Sequence, residues 1–229
     1  MSLIPKNIFQ THKSSSYLKQ KPKLLNAMKS WAKFKGEFRY CFFDNAKCDE
    51  FMNQYFDEKV NMAYSILPMG VMKADLWRYC VIYIYGGIYA DVDTICKVNP
   101  NIFINNALLN VSPEIGTNFF CQWSFSAPAN SPILKTIIDL SVDRILTTPI
   151  KGEHIIHFLT GPACFTDGII RFLKENNLPT FVDVNNYINY PASILRVCEP
   201  NIFHSNCIEH LFAGSDKDGW KKERYKILT

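Results

Sequence analysis

Between Met69 and Tyr85 the sequence holds no proline, and its only glycine, Gly70, stands at the start. Apolar residues fall on nearly every face of a helix drawn through this stretch, so the helix must be buried on most sides. Gly86-Gly87 ends it, because glycine takes the left-handed conformation that a helix C-terminus commonly needs. Ile88-Tyr89-Ala90 then reads as a short strand that delivers Asp91 and Asp93 at its end. A helix buried on most sides and feeding straight into a strand leaves few folds open, and the rest of the chain must wrap around it.

In an extended chain, residues two apart project to the same side, about 6–7 Å from one another. Asp91 and Asp93 therefore face one small volume. Two carboxylates so close repel unless a cation sits between them, and a hard divalent ion takes oxygen ligands of this kind. The spacing assigns Asp93 to the metal directly. It assigns Asp91 to a ribose or sugar hydroxyl, or to the metal through water. The bare pattern is weak, since Asp216-Lys217-Asp218 repeats it and a solvated acidic turn looks the same. Asp75 and Arg78 add context: they stand three apart on one face of a helix otherwise almost free of charge. Buried charges must be paired or put to use.

The whole string Ala74-Asp75-x-x-Arg78-Tyr79-x-x-x-Tyr83-x-Tyr85-Gly86-Gly87-Ile88-Tyr89-x-Asp91-x-Asp93 resembles the signature of the DXD sugar-binding glycosyltransferases. More narrowly it resembles glycosyltransferase family thirty-two, which includes the yeast-type initiating mannosyltransferases and capsular polysaccharide synthesis-like proteins. Glucosylating bacterial toxins are its distant relatives. The resemblance implies an α/β fold of the GT-A type, one domain over residues 1–229, with a mainly parallel central sheet flanked by helices. It implies a retaining transfer of a hexose (mannose, glucose or galactose type) from a GDP- or UDP-hexose to a glycan or other hydroxyl acceptor. The cofactor implied is Mn2+ or Mg2+. Asp75, Arg78, Asp91 and Asp93 become the catalytic set. Gln10, Thr11, Gly87, Val92 and Ser215 join them on the donor side. With no clear enzymatic nucleophile in the relatives, a front-face reaction is expected, the leaving phosphate taking the acceptor's proton.

Other segments carry parts of the same resemblance. Ile4-Pro5-Lys6-Asn7-Ile8-Phe9-Gln10-Thr11 opens with a strand, and His12 stands where the family has an aromatic residue. Ser14-Ser15-Ser16 caps an expected helix over 17–34 that Pro22 interrupts or delays, and 38–43 is a second strand. That order suggests a βαβ unit with parallel strands, and no Gly-x-Gly-x-x-Gly marks it as dinucleotide-binding. Short helices follow over 46–55 and 57–66. A strand is expected over 119–126 with Trp123 and Phe125 on one face, then a loop at 128–132 and a helix to about Leu146. The family's like segment presents part of the sugar pocket, which makes Trp123 and Asn130 candidate lining residues.

Thr160-Gly161-Pro162 resembles the family's Thr-Gly-Pro before a helix, here 163–174, and the acceptor side is expected there. His154 and His157 are spaced as a metal pair but lack a third ligand nearby. A strand over 181–184 and a turn at Tyr190-Pro191 lead to the end of the chain. There His210-x-x-x-Gly214-Ser215 matches the family, with Asp216-Lys217-Asp218-Gly219 inserted before Trp220. His210 is expected to complete the metal site, since imidazole suits a transition metal better than Mg2+.

Composition narrows the rest. With 229 residues, 48% apolar and 20% charged, the chain has bulk for a sizeable core. Net charge is +4, with Lys and Arg gathered at 6–35 and 217–226, which suits an anionic diphosphate or peripheral contact with a membrane surface. No basic helix or aromatic RNA-binding signature is present, so no nucleic-acid partner is expected. The eight cysteines hold no Cys-x-x-Cys pair, and most read as reduced core residues; the even count permits disulfides, which a chain this long does not need. No signal sequence or apolar run of about 20 residues is visible, so a cytoplasmic location is expected, or an anchor has been trimmed. A scaffold that had lost turnover would lack a charged signature residue, and none is missing. A phosphohydrolase would need a further carboxylate at the metal.

Overall fold

The structure, a computed structural model, describes residues 3–180, 183, 184, 191, 193–215 and 220–228. At its centre lies the helix α5, Gly70–Tyr85, numbered after α1 (Ser15–Lys19), α2 (Pro22–Ala32), α3 (Asn45–Tyr55) and α4 (Glu58–Ser65). Met72, Leu76, Trp77, Tyr79, Cys80, Val81 and Ile82 are all buried, which is what its all-round apolar character requires. It packs on α3, on α6 (Pro132–Thr147) and on the sheet.

The sheet orders its strands β2 (Arg39–Phe43), β1 (Asn7–Thr11), β3 (Gly87–Ala90), β6 (Ser124–Ala127), β5 (Leu109–Val111) and β7 (Leu195–Val197). β1 pairs in parallel with β2 and β3, and β5 with β7, while β6 runs antiparallel between β3 and β5. The expected βαβ unit and mainly parallel sheet are both present. Strand alternation sends neighbours to opposite cores. Phe9 and Tyr89 join α5 and α6 on one face, and Ile8 and Ile88 join Trp31 and Phe38 on the other. A separate ribbon pairs β4 (Thr94–Cys96) with β8 (Ile208–His210), antiparallel.

No loop separates α5 from β3. Gly86 (φ 62°) and Gly87 (φ 126°) make the whole turn, and Asn7 Nδ2 donates to the carbonyls of Tyr85 (3.3 Å) and Gly86 (3.0 Å). A Cβ on Gly87 would sit 2.7 Å from the Asn7 carbonyl oxygen. Gly87→Ala is therefore expected to lower stability by roughly 3 kcal/mol, from backbone strain and the clash together. A urea midpoint within error of the parent protein would contradict this.

The expected N-terminal helix is interrupted at Pro22 as anticipated, giving α1 capped by Ser14 Oγ accepting from the Tyr17 N–H (3.1 Å) and α2 opened by Pro22. Two expectations need correcting. The strand expected over 119–126 starts only at Ser124, because Cys121 N–H turns aside to Ser112 O (2.8 Å) and Phe120 bridges Pro113. Trp123 lies before that strand, so it packs in the core opposite Phe125 and not on the same face. Of the expected strand over 181–184 and the turn at Tyr190-Pro191, residues 181, 182 and 190 lie outside the described residues. All eight cysteines are free, and six of them are buried, in line with the expectation that most are reduced core residues. No helix among the described residues is long and apolar enough to cross a membrane.

Candidate active site

At the end of β3 the chain turns on itself. Thr94 donates through Oγ1 to Asp91 O (2.6 Å), and Val92 is tucked inside the turn. Asp91 and Asp93 are left side by side at the rim. β8 returns alongside β4, with His210 opposite Thr94. His210 Nε2 lies 3.4 Å from Asp93 Oδ1, and the backbone N–H of Ala213 donates to Asp93 Oδ2 (3.0 Å). One ligand atom from each of Asp91, Asp93 and His210 falls within 4.8 Å of the others, the one such group among the described residues. His154 and His157 join no group of this kind.

Behind the rim runs a buried ionic chain. Asp75 and Arg78 are only 2% and 4% exposed. Arg78 Nη2 lies 2.9 Å from Asp75 Oδ1 and 3.3 Å from Asp91 Oδ1, and its guanidinium stacks over Tyr89 (4.8 Å). Gln122 Nε2 (3.2 Å) and Thr160 Oγ1 (3.1 Å) donate to the two oxygens of Asp75. The Tyr79 hydroxyl is shared between Gln122 Oε1 and the Thr160 carbonyl. The Tyr89 hydroxyl donates to Asp91 Oδ1. Each buried charge thus has partners, as burial demands.

Burial pushes the Asp75 carboxyl up to about 7, against the pull of Arg78, Thr160 and Gln122. Burial also raises Asp91, again opposed by Arg78. At Asp93 burial is outweighed by the bond and charge of His210 and by the Ala213 N–H, so this carboxyl sits below its usual range. Burial acts downward on His210, but Asp93 outweighs it and raises the imidazole. The two carboxylates thus differ: Asp93 is held ionised, and Asp91 is held between a guanidinium and the solvent, its side chain 25% exposed.

The group fits a divalent cation. It offers two carboxylates and an imidazole, no hydrogen bond among the described residues occupies Asp91 Oδ2, and His210 Nδ1 is buried without a partner.

The remaining candidates divide. Gln10 donates to the Asp91 carbonyl (3.1 Å) and accepts from Tyr40 (2.9 Å), so it braces the acidic turn from behind. Thr11 donates to Phe43 O (2.9 Å) and ties β1 to β2. His12 stacks on Tyr17 (5.0 Å), and burial lowers its pKa to about 4, so it is neutral near pH 7. Trp123 stacks on His210 (4.8 Å), and its carbonyl accepts from Asp91 N (2.8 Å).

Gly161 and Pro162 open the helix Pro162–Glu175 just past Thr160. Gly87 stands at the start of β3, at the opposite end from Asp91, and shapes the turn rather than the site. Asn130 is not brought to the group: it is exposed, left-handed (φ 58°) and bonded through its N–H to Tyr83 O (2.7 Å). The antiparallel register of β3 and β6 explains this, since Ala127 faces Gly87 while Ser124 faces Ala90. Ser215 ends a short turn, Ala213–Ser215, whose first residue is the Ala213 that donates to Asp93. The inserted residues 216–219 lie outside the described residues, yet Trp220 returns to lie against Gly214 and leaves no room there for a side chain.

Sequence reasoning missed Gln122, Tyr79 and Tyr89. Gln122 carried one signal, a polar residue in the apolar run from Phe119 to Phe125.

Comparison with known proteins agrees with this layout. Residues 21–110 match the family described as the glycosyltransferase sugar-binding region containing the DXD motif. The initiation-specific alpha-1,6-mannosyltransferase of Candida albicans is 26% identical over 207 residues, covering 75% of this chain and 54% of that protein. The inositol phosphoceramide mannosyltransferase 1 of Schizosaccharomyces pombe is 23% identical over 216 residues, covering 94% of this chain and 64% of that protein. The chain thus spans 54% and 64% of the length of these two relatives. Among solved structures, the PaToxG glycosyltransferase superposes with a TM-score of 0.56 at 18% identity, over 76% of this chain and 71% of its own. That likeness shows the fold, which is GT-A-like.

Proposed function

We propose that this chain, which carries the DXD-containing sugar-binding region of the glycosyltransferases, transfers a mannose from a nucleoside diphosphate sugar to a hydroxyl acceptor with retention of configuration. The observation that carries the reading is the buried line Asp75–Arg78–Asp91 running into the Asp91, Asp93 and His210 group. An internal ion pair serving stability alone does not need a third charge at the solvent rim or a neighbouring metal-type cluster. The choice of mannose rests on the relatives, two of which are named mannosyltransferases.

In this reading Asp91, Asp93 and His210 hold the cation, Mn2+ in preference to Mg2+ because an imidazole accompanies the carboxylates. When bound, it offsets the negative charge that builds on the leaving diphosphate. Arg78, already between two carboxylates, turns the same positive charge toward that phosphate. Asp75 accepts hydroxyls of the donor sugar and, held by Thr160 and Gln122, fixes where the anomeric carbon lies. The bond from the anomeric carbon to the phosphate oxygen breaks, its electron pair leaving with the diphosphate. The acceptor oxygen forms the new bond on the same face, and its proton passes to the leaving phosphate.

A thermal-shift panel of GDP- and UDP-hexoses with Mn2+ tests the reading, because a ligand that binds only the folded state raises the melting temperature. One donor is expected to give a metal-dependent rise and to release its nucleoside diphosphate slowly in water. No shift and no release with any donor would rule the transferase out.

A further inference from the structure

The ionic chain from Asp91 through Arg78 runs inward from the acidic group, toward Asp75. The outward side has its own construction. Phe212 is 57% exposed, and it holds a left-handed backbone (φ 52°) that a residue with a bulky side chain seldom adopts. The amides on either side of it explain why: Leu211 N–H donates to Asp93 O (2.8 Å) and Ala213 N–H to Asp93 Oδ2 (3.0 Å). With both neighbours tied to Asp93, the chain must turn at Phe212. Its ring meets the His210 imidazole edge-on, with centroids 4.2 Å apart and planes at 86°. A strained, solvent-facing aromatic ring against a metal-type ligand has no role in the core. Strain of this kind collects at functional sites.

A second wall approaches His210 from another part of the chain. Trp123 stacks on His210, the His204 ring packs at 74° to Trp123 (5.3 Å), and His204 Nε2 lies 3.1 Å from Pro113 O. Glu114 follows Pro113. Its carboxylate is half-buried and has no hydrogen bond or ion pair among the described residues. Burial raises its pKa, and His210 is the charged group that pulls it back.

We infer that Phe212 and Glu114 form an acceptor subsite for a pyranose, the ring stacking on Phe212 and its hydroxyls bonding Glu114. A pyranose has an apolar C–H face and a hydroxyl rim, which an aromatic surface beside an unpartnered carboxylate complements. Asp75 and Arg78 are buried, whereas Phe212 is exposed to solvent against His210, where an incoming sugar can meet it. The inference rests on the transferase reading above.

The test uses Phe212→Gly, which keeps the left-handed turn without strain and removes only the ring, together with Phe212→Tyr and Glu114→Gln. Two affinities are measured on the whole chain. One is for Mn2+ with GDP or UDP, by calorimetry. The other is for methyl α-mannoside added to that complex, by NMR titration. Phe212→Gly and Glu114→Gln are each expected to weaken the sugar about fivefold, the scale of one aromatic contact, with nucleotide affinity held within about twofold. Phe212→Tyr should bind sugar like the parent protein. No saturable sugar binding by the parent protein, or unchanged sugar affinity in either variant, overturns the subsite. So does a loss of nucleotide affinity in Phe212→Gly with the sugar unaffected, which would make the ring a base platform. Donor hydrolysis is read separately, so a failure of the transferase reading shows there.

Discussion

Asp93→Asn is expected to lower kcat/KM on the order of 10²–10³-fold or more while the chain still folds, because the loss falls on charge placed at the reacting phosphate. An asparagine oxygen still accepts from the Ala213 N–H, so the turn that presents Phe212 survives. The missing charge releases His210, whose imidazole is raised mainly through its bond to Asp93. Metal affinity and turnover should therefore fall together. Circular dichroism and a melting curve without metal check the fold, and Mn2+ titration with the nucleoside diphosphate present checks the site. Turnover with Mn2+ equal to that of the parent protein would remove Asp93 from the metal.

Arg78 gives the second large effect, and it separates structure from function. Arg78→Met leaves the carboxylates of Asp75 and Asp91 facing each other without their shared cation, at an expected cost of roughly 3–5 kcal/mol. Replacing Asp75 by Leu in the same chain removes the uncompensated buried charge and should restore most of that stability. Transfer should stay at least about 10³-fold down in the double variant, since sugar-hydroxyl acceptor and phosphate partner are both gone. Urea midpoints and single-turnover rates make the comparison. A stable double variant with normal turnover would reduce the pair to an internal ion bridge.

What could be read in advance follows the range of the forces involved. The order from α5 through Gly86-Gly87 to Asp91 and Asp93 is local: periodicity, glycine conformation and strand alternation specify it within a few residues. Asp75 and Arg78 announce themselves as charges in an apolar helix. His210 was legible as a candidate through its match to the family's late histidine, but the pairing of β4 with β8 that brings it beside Asp93 joins segments far apart in sequence, which no local pattern encodes. Gln122 and Glu114 depend on where the chain bends after β5, at the Pro113–Phe120 bridge, and no sequence period encodes that bend. Asn130 shows the converse. Its motif context pointed to the pocket, but the antiparallel run of β6 carries it to the wrong end.

The missing loop between α5 and β3 has a further consequence. Helix and strand meet at Gly86, and Asn7 grips both sides of the joint, so the chain between Asp75 and Asp91 works as a ruler of fixed length. One extra residue in the helix would swing Asp75 by about 100° and shift it about 1.5 Å, while β1 held Asp91 where it is. No side-chain adjustment recovers such a rotation inside a packed core. Insertions and deletions must therefore avoid this interval, and divergence in what the site accepts has to come from substitutions here or from changes of length elsewhere, such as residues 216–219.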